Sequence, residues 1–271
     1  MRYCRFETDF GPQYGAVIER AGFDWIEYLL PPPEEDLSTV FPGEVDAAAF
    51  EPVPFGSASL FTPVMPSKIV CIGRNYRDHA AELGNEVPQA PLLFLKPPSA
   101  IIGPGQSIHL PPQSERVDFE GELAVVIGKR ASRIGPEEDV RHYIRGYTIV
   151  NDVTARDLQK SDGQWSRAKG FDTFCPAGPI VTDEIDPLAG VGVNVETRLN
   201  DSVMQRGNTI DLIFPIAFLL RYITAAMTLV PGDIIPTGTP AGVAPMQPGD
   251  VVEVSIEGIG TLANPVAAWA A

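Results

Sequence analysis

Proline and glycine interrupt this chain every few residues. Its 271 residues hold 27 prolines and 25 glycines spread along the whole length. That density excludes a helical bundle and predicts many short strands joined by turns. Strands are expected at Met1–Glu7, Gln13–Arg20 and Phe23–Leu30, with turns at Gly11-Pro12 and Gly22. A proline-rich acidic stretch, 31–36, then cannot hold regular structure and is expected to be exposed, and Asp46–Pro66 is again broken by prolines. From Ser67 the apolar runs strengthen: Lys68–Ile72, Leu92–Leu95, Glu122–Ile127, Gly146–Asp152 and Ile234–Pro236 read as strands, and 251–266 as a closing hairpin around Gly258-Ile259-Gly260. Helices are expected at Arg77–Leu83, Glu137–Arg145 and Pro215–Ala226. Strands outnumber helices without regular alternation, so the fold class is β-rich α+β rather than a doubly wound sheet. The change of texture divides the chain into a small N-terminal β-rich domain with a proline-rich linker, 1–66, and a larger domain, 67–271.

Charge narrows the partners. A net charge of −15 repels phosphate backbones, so no nucleic acid is expected. No apolar run is long enough for a membrane span, and the N-terminus lacks the order of a signal peptide. The three cysteines, Cys4, Cys71 and Cys175, form no CxxC pair, and a reducing cytoplasmic location is the expectation. The nucleotide-binding, serine-hydrolase and zinc-protease motifs GxGxxG, GxxxxGK[ST], GxSxG and HExxH are all missing.

Five segments carry the residue types that chemistry needs. In 117–128, if one strand runs back through Asp118, then Asp118, Glu120 and Glu122 share a face. Such a row either surrounds a hard divalent cation or is a solvated acidic edge. Asp152, ending the strand Gly146–Asp152, is either a third carboxylate or the cap of the next turn. His79 and Glu82, three apart on the expected helix, form either a general-base pair or a surface ion pair. Lys169 is one of only five lysines and sits among glycines and prolines. It either neutralises an anionic substrate or is solvated. Cys175 reads as a packed small residue, having no basic neighbour in sequence to lower its pKa. The Gly-rich turn 231–243 either offers backbone N–H groups to a carboxylate or is a plain turn.

Taken in order, these segments resemble the fumarylacetoacetate hydrolase family. The resemblance rests on GRNYRDHAAE at 73–82, FLKP at 94–97, FEGELAVVIGK at 119–129, GYTIVNDVTARDLQ at 146–159, AKGFDTFCPAGP at 168–179, LNDSVMQRGNT at 199–209 and GDIIPTGTPAGV at 232–243. It covers the chain from Ser67 onward. It implies a rolled mixed β-sheet, a homodimer, and Mg²⁺ or Mn²⁺ held by Glu120, Glu122 and Asp152. It implies catalytic roles for His79, Glu82 and Lys169, and a substrate side lined by Arg74, Arg156, Gln159 and Thr239. The activity it implies is hydrolytic C–C cleavage of a small 2-oxo carboxylic acid of the acylpyruvate or fumarylpyruvate type, through a metal-held enolate. The same enolate serves an isomerase acting on a 2-hydroxyhepta-2,4-diene-1,7-dioate in aromatic-acid catabolism, or an oxaloacetate decarboxylase. A non-catalytic dicarboxylate binder is a further alternative.

Overall fold

A computed structural model describes residues 1–39 and 50–269. The part of the proline-broken stretch that precedes Phe50 lies outside the described residues. The N-terminal strands are β1 (Arg2–Thr8), β2 (Gly11–Arg20) and β3 (Phe23–Leu30), followed by the short β4 (Val53–Pro54) and β5 (Leu60–Phe61). Next come β6 (Ile69–Gly73), α1 (Arg77–Glu82), β7 (Leu92–Lys96), β8 (Ile101–Ile102), β9 (Ile108–Leu110), β10 (Val117–Asp118) and β11 (Gly121–Ile127). The middle of the chain forms β12 (Ile144–Asn151), β13 (Thr154–Ala155), α2 (Arg156–Ser161), α3 (Ser166–Lys169) and β14 (Cys175–Thr182). It closes with β15 (Asn194–Leu199), β16 (Ser202–Asn208), α4 (Ile216–Ala226), β17 (Ile234–Pro236), β18 (Val251–Ile256) and β19 (Gly260–Ala268). Strands dominate and helices are few, as the proline and glycine spacing predicts.

The main sheet runs β4-β3-β2-β1-β14-β12-β11-β17-β6-β7. It is mixed: β17 lies parallel to β6, and β11 antiparallel to both of its neighbours. The N-terminal strands join it edge to edge, because Arg2 and Tyr3 of β1 pair with Thr182 and Val181 of β14. A second sheet, β16-β15-β18-β19-β9, packs across it. Strand β11 is buried from end to end, which is why its sequence after Glu122 is continuously apolar instead of alternating. Leu123, Val125 and Ile127 enter the core that also holds Val195, Val252 and Val254 of the second sheet. Ala124 and Val126 face the opposite cluster with Ile69, Cys71, Val150 and Cys175. Gly121 lies against the second sheet, at Thr197 of β15 and Val254 of β18. A Cβ there would meet Thr197 Oγ1 at 2.2 Å and Val254 Cγ1 at 2.8 Å, so a larger residue would have to displace these packed side chains.

Three expectations need correction. The helix expected over Glu137–Arg145 is a single 3₁₀ turn at Val140–Tyr143, capped by Asp139 accepting from the Arg141 N–H. Ile144 and Arg145 belong instead to β12, where Ile144 pairs with Ile127. Long-range strand pairing overrides the local helix signal there. The proline-rich stretch has no helix or strand but is not wholly exposed. Asp36 is buried, accepting from the Tyr14 hydroxyl at 2.9 Å, and Glu35 is ion-paired with Arg145. Finally, the acidic strand does not run through Asp118. β10 ends there, pairing with β13, and β11 begins only at Gly121.

Candidate active site

Glu120 and Glu122 flank Gly121 at the start of β11, and Asp152 follows the end of β12. The antiparallel register sets Gly121 opposite Asn151 and so brings Asp152 beside Glu120. Two bonds lock this corner: the Asp152 N–H donates to the Glu120 carbonyl at 2.8 Å, and the Glu120 N–H to Asn151 Oδ1 at 2.9 Å. One oxygen from each of the three carboxylates lies within 4.8 Å of the others, and all three residues are buried. This is no solvated edge, and the Asp152 side chain is turned inward to two lysines instead of capping a turn. Asp118 stands apart, bound by Arg116 and Arg156 at 2.9 Å each.

The charges around the triad are unevenly matched. Lys169 Nζ donates to Glu120 at 2.7 Å and to Asp152 at 2.6 Å. Lys96 Nζ donates to the other Asp152 oxygen at 2.6 Å and to the Val153 carbonyl at 3.2 Å. Arg156 approaches Glu120 at 2.6 Å. Burial opposes ionisation of Glu120, but Lys169, Arg156 and His79 together hold its carboxyl well below the usual range. Lys169 is likewise disfavoured as a cation by burial, yet Asp152 and Glu120 raise it above an ordinary lysine. Glu122 has the opposite setting. It accepts the Gly238 N–H at 2.7 Å, and burial together with the facing Asp152 and Glu120 pushes its carboxyl well above the ordinary value. A buried carboxylate facing two others, in an all-oxygen donor set, fits Mg²⁺ or Mn²⁺.

The turn 231–243 does offer its N–H groups to carboxylates, but to the chain's own: Gly238 to Glu122, and Gly242 to Glu82 at 3.0 Å. Its Thr239 hydroxyl donates to the Gly121 carbonyl and accepts from Gln205. Helix α1 carries His79 and Glu82 over the triad. His79 Nδ1 lies 3.3 Å from Glu82, and its Nε2 lies 3.7 Å from Glu120. With its ring buried, His79 is no surface ion pair. These groups open into one cavity of about 460 Å³, which Arg74, Arg156, Gln159, Lys169 and Thr239 also line. All the site residues read from the sequence therefore meet in one place, except Asp152, which sits beneath the lining. Arg156 is heavily committed there, to Asp118, Glu120 and the Gln159 side chain. Cys175 is buried, its thiol pushed up to about 12 by burial.

Sequence reading missed two members of the site. Lys96 is the more important, because it holds one whole side of Asp152. The available signal was a lone lysine ending an apolar strand just before Pro97, in a chain with five lysines. The other is Trp165, which lines the cavity and packs edge-on against Phe94 at 5.3 Å.

Comparison with known proteins agrees with this architecture. Residues 68–267 match the family model for the fumarylacetoacetate (FAA) hydrolase C-terminal region. The oxaloacetate tautomerase YisK of Bacillus subtilis is 44% identical over 212 residues, 74% of this chain and 70% of YisK. The mitochondrial oxaloacetate tautomerase Fahd2a of Rattus norvegicus is 39% identical over 229 residues, covering 81% and 73% of the two chains. The crystal structure of a 2-hydroxyhepta-2,4-diene-1,7-dioate isomerase from Mycobacterium marinum superposes with a TM-score of 0.83 at 40% identity, covering both chains completely. Among the described residues no helix is long and apolar enough to cross a membrane.

Proposed function

Because the chain belongs to the fumarylacetoacetate hydrolase family, a family of enzymes, we propose that it acts on a 2-oxo carboxylic acid by moving a proton at the carbon beside the 2-oxo group, through an enolate. The observation that carries this reading is the convergence of a buried His–Glu pair and a buried lysine on one carboxylate triad. Glu120, Glu122 and Asp152 would hold Mg²⁺ or Mn²⁺, which when bound supplies an electron sink for the carboxylate and 2-oxo group. His79 takes the proton at Nε2, while Glu82 fixes the ring through Nδ1. The Lys169 ammonium stabilises the negative charge that develops on the enolate oxygen. Returning the proton to oxygen or to carbon completes a keto–enol shift, and delivering it to a more distant carbon completes a double-bond shift. The names of the similar tautomerases and of the isomerase support this proton-transfer reading.

A second reading, hydrolytic C–C cleavage of an acylpyruvate, is favoured by the same His79–Glu82 pair, which is also suited to deprotonating water. One assay panel separates the two: oxaloacetate enolisation, a dienedioate double-bond shift and acylpyruvate cleavage, each with Mg²⁺ and with EDTA. Proton transfer is expected to be fastest and to disappear with EDTA. Cleavage as the fastest reaction would establish the hydrolase instead. No turnover of any of the three would end the 2-oxo acid reading.

A further inference from the structure

We infer that Lys96, buried behind the carboxylate triad, is a positioning residue that restricts Asp152 to one metal-facing oxygen and so sets a preference of the site for Mg²⁺ or Mn²⁺ over Ca²⁺. The inference rests on the metal part of the proposed function and adds to it what makes the site selective.

The first support is where Lys96 lies. It ends β7, is 1% exposed, and is not among the described residues that line the cavity. It therefore acts on the site through another residue and not by touching substrate. Its ammonium donates to Asp152 Oδ1 at 2.6 Å and to the Val153 carbonyl at 3.2 Å. Both acceptors belong to the turn that follows β12, so the two bonds hold the Asp152 side chain against its own backbone. A buried ion pair is a costly way to gain stability, and what this one supplies is the orientation of a carboxylate.

The second support is that the two Asp152 oxygens face different ways. Oδ2 shares the Lys169 ammonium with Glu120 Oε2, at 2.6 and 2.7 Å, and so lies on the triad side. Oδ1 is given to Lys96. Swinging both oxygens onto one cation would break the Lys96 bond and leave a buried ammonium with only a backbone carbonyl, which is strongly unfavourable.

The third support is that the other two acids are restrained in the same sense. Glu120 Oε1 meets Arg156 at 2.6 Å, and Glu122 Oε2 accepts the Gly238 N–H at 2.7 Å. Each acid of the triad thus has an oxygen tied to a donor of the chain. Three carboxylates that give one oxygen each supply half of an octahedron and leave the rest to water and substrate. That count suits Mg²⁺ and Mn²⁺ and is poor for Ca²⁺, which takes six to eight oxygens and often binds a carboxylate through both. Arg156 and Lys169 line the cavity, and the Gly238 donor is backbone. Lys96 is therefore the restraint that a substitution can remove without altering the cavity wall.

Calorimetric titration of Mg²⁺, Mn²⁺ and Ca²⁺ into the metal-stripped full chain tests the inference. The wild type should bind Mg²⁺ and Mn²⁺ at least about tenfold more tightly than Ca²⁺. In Lys96→Met the ratio of Ca²⁺ to Mg²⁺ affinity should rise about 10- to 100-fold, the range for loss of a ligand's hydrogen-bonding partner. Lys68→Met breaks another lysine–carboxylate pair, with Asp233 at the far end of β11, and should leave the ratio unchanged. A crystal structure of the Ca²⁺-loaded wild type decides the matter even if Lys96→Met does not fold. It should show Asp152 on the ion through one oxygen, with Lys96 on the other. Both Asp152 oxygens on the ion, equal wild-type affinity for Ca²⁺ and Mg²⁺, an unchanged ratio in Lys96→Met, or an equal rise in Lys68→Met would overturn the assignment while the metal reading stands. A wild type that binds none of the three ions would overturn both.

Discussion

His79→Ala is expected to slow C3 proton exchange of oxaloacetate by about 10²- to 10⁴-fold, the range for loss of a general base. Substrate affinity should change little, because His79 faces Glu120 at 3.7 Å and belongs to none of the cationic groups that would hold the acid. Metal-dependent loss of CO₂ from oxaloacetate needs no base, so the variant should keep a much larger share of that reaction. Acylpyruvate cleavage should fall with proton exchange if water is activated by the same nitrogen. Glu82→Ala should follow in the same direction but more weakly. Glu82 acts only through the His79 ring and through its contact with the Gly242 N–H. Deuterium incorporation at C3, measured beside CO₂ release in the same samples, gives the ratio directly. Equal losses of the two activities would mean that His79 positions substrate and is not the base.

Asp152→Asn should be the most destabilising conservative change in the site, at about 3–5 kcal/mol, the cost of breaking a buried ion pair by removing one partner. Both Asp152 oxygens accept from buried ammonium groups, Lys96 on one side and Lys169 on the other, and the amide can accept from only one. Glu122→Gln, in the same triad, should have the opposite consequence. Among the described residues Glu122 makes no ion pair with a lysine or arginine and faces two carboxylates, so in the metal-free protein its loss should be neutral or stabilising. Denaturant unfolding of both variants in EDTA checks the contrast. Equal destabilisation would contradict the charge distribution described around the triad.

The strands were legible because β11 is apolar from Leu123 to Ile127 and β12 carries the apolar Ile149-Val150 near its end. The E-x-E pair was read from period-two alternation, although Glu120 itself lies just before β11 and is placed by the pairing of Gly121 with Asn151. Asp118 misled that argument because the chain leaves the sheet at Phe119–Glu120, β10 pairing with β13 before β11 begins. The helix expected over Glu137–Arg145 failed because β11 captures Ile144. The joining of β1 to β14 spans some 180 residues and has no local signal. In the site, the resemblance placed the residues, but spacing could not reveal their mutual charge. That Lys96 reaches Asp152 from 56 residues away, and that Arg156 is taken up by two acids, are consequences of the closed fold.

The most direct test of the central claim, that Glu120, Glu122 and Asp152 form a divalent-cation site, is titration of Mn²⁺ into metal-stripped wild type and Glu122→Gln. The wild type should bind one Mn²⁺ per chain. Glu122→Gln, folded and no less stable without metal, should bind it at least about 100-fold more weakly, beyond the loss typical of an outer hydrogen-bonding partner. Unchanged Mn²⁺ affinity in Glu122→Gln, or no binding by the wild type, would contradict the account.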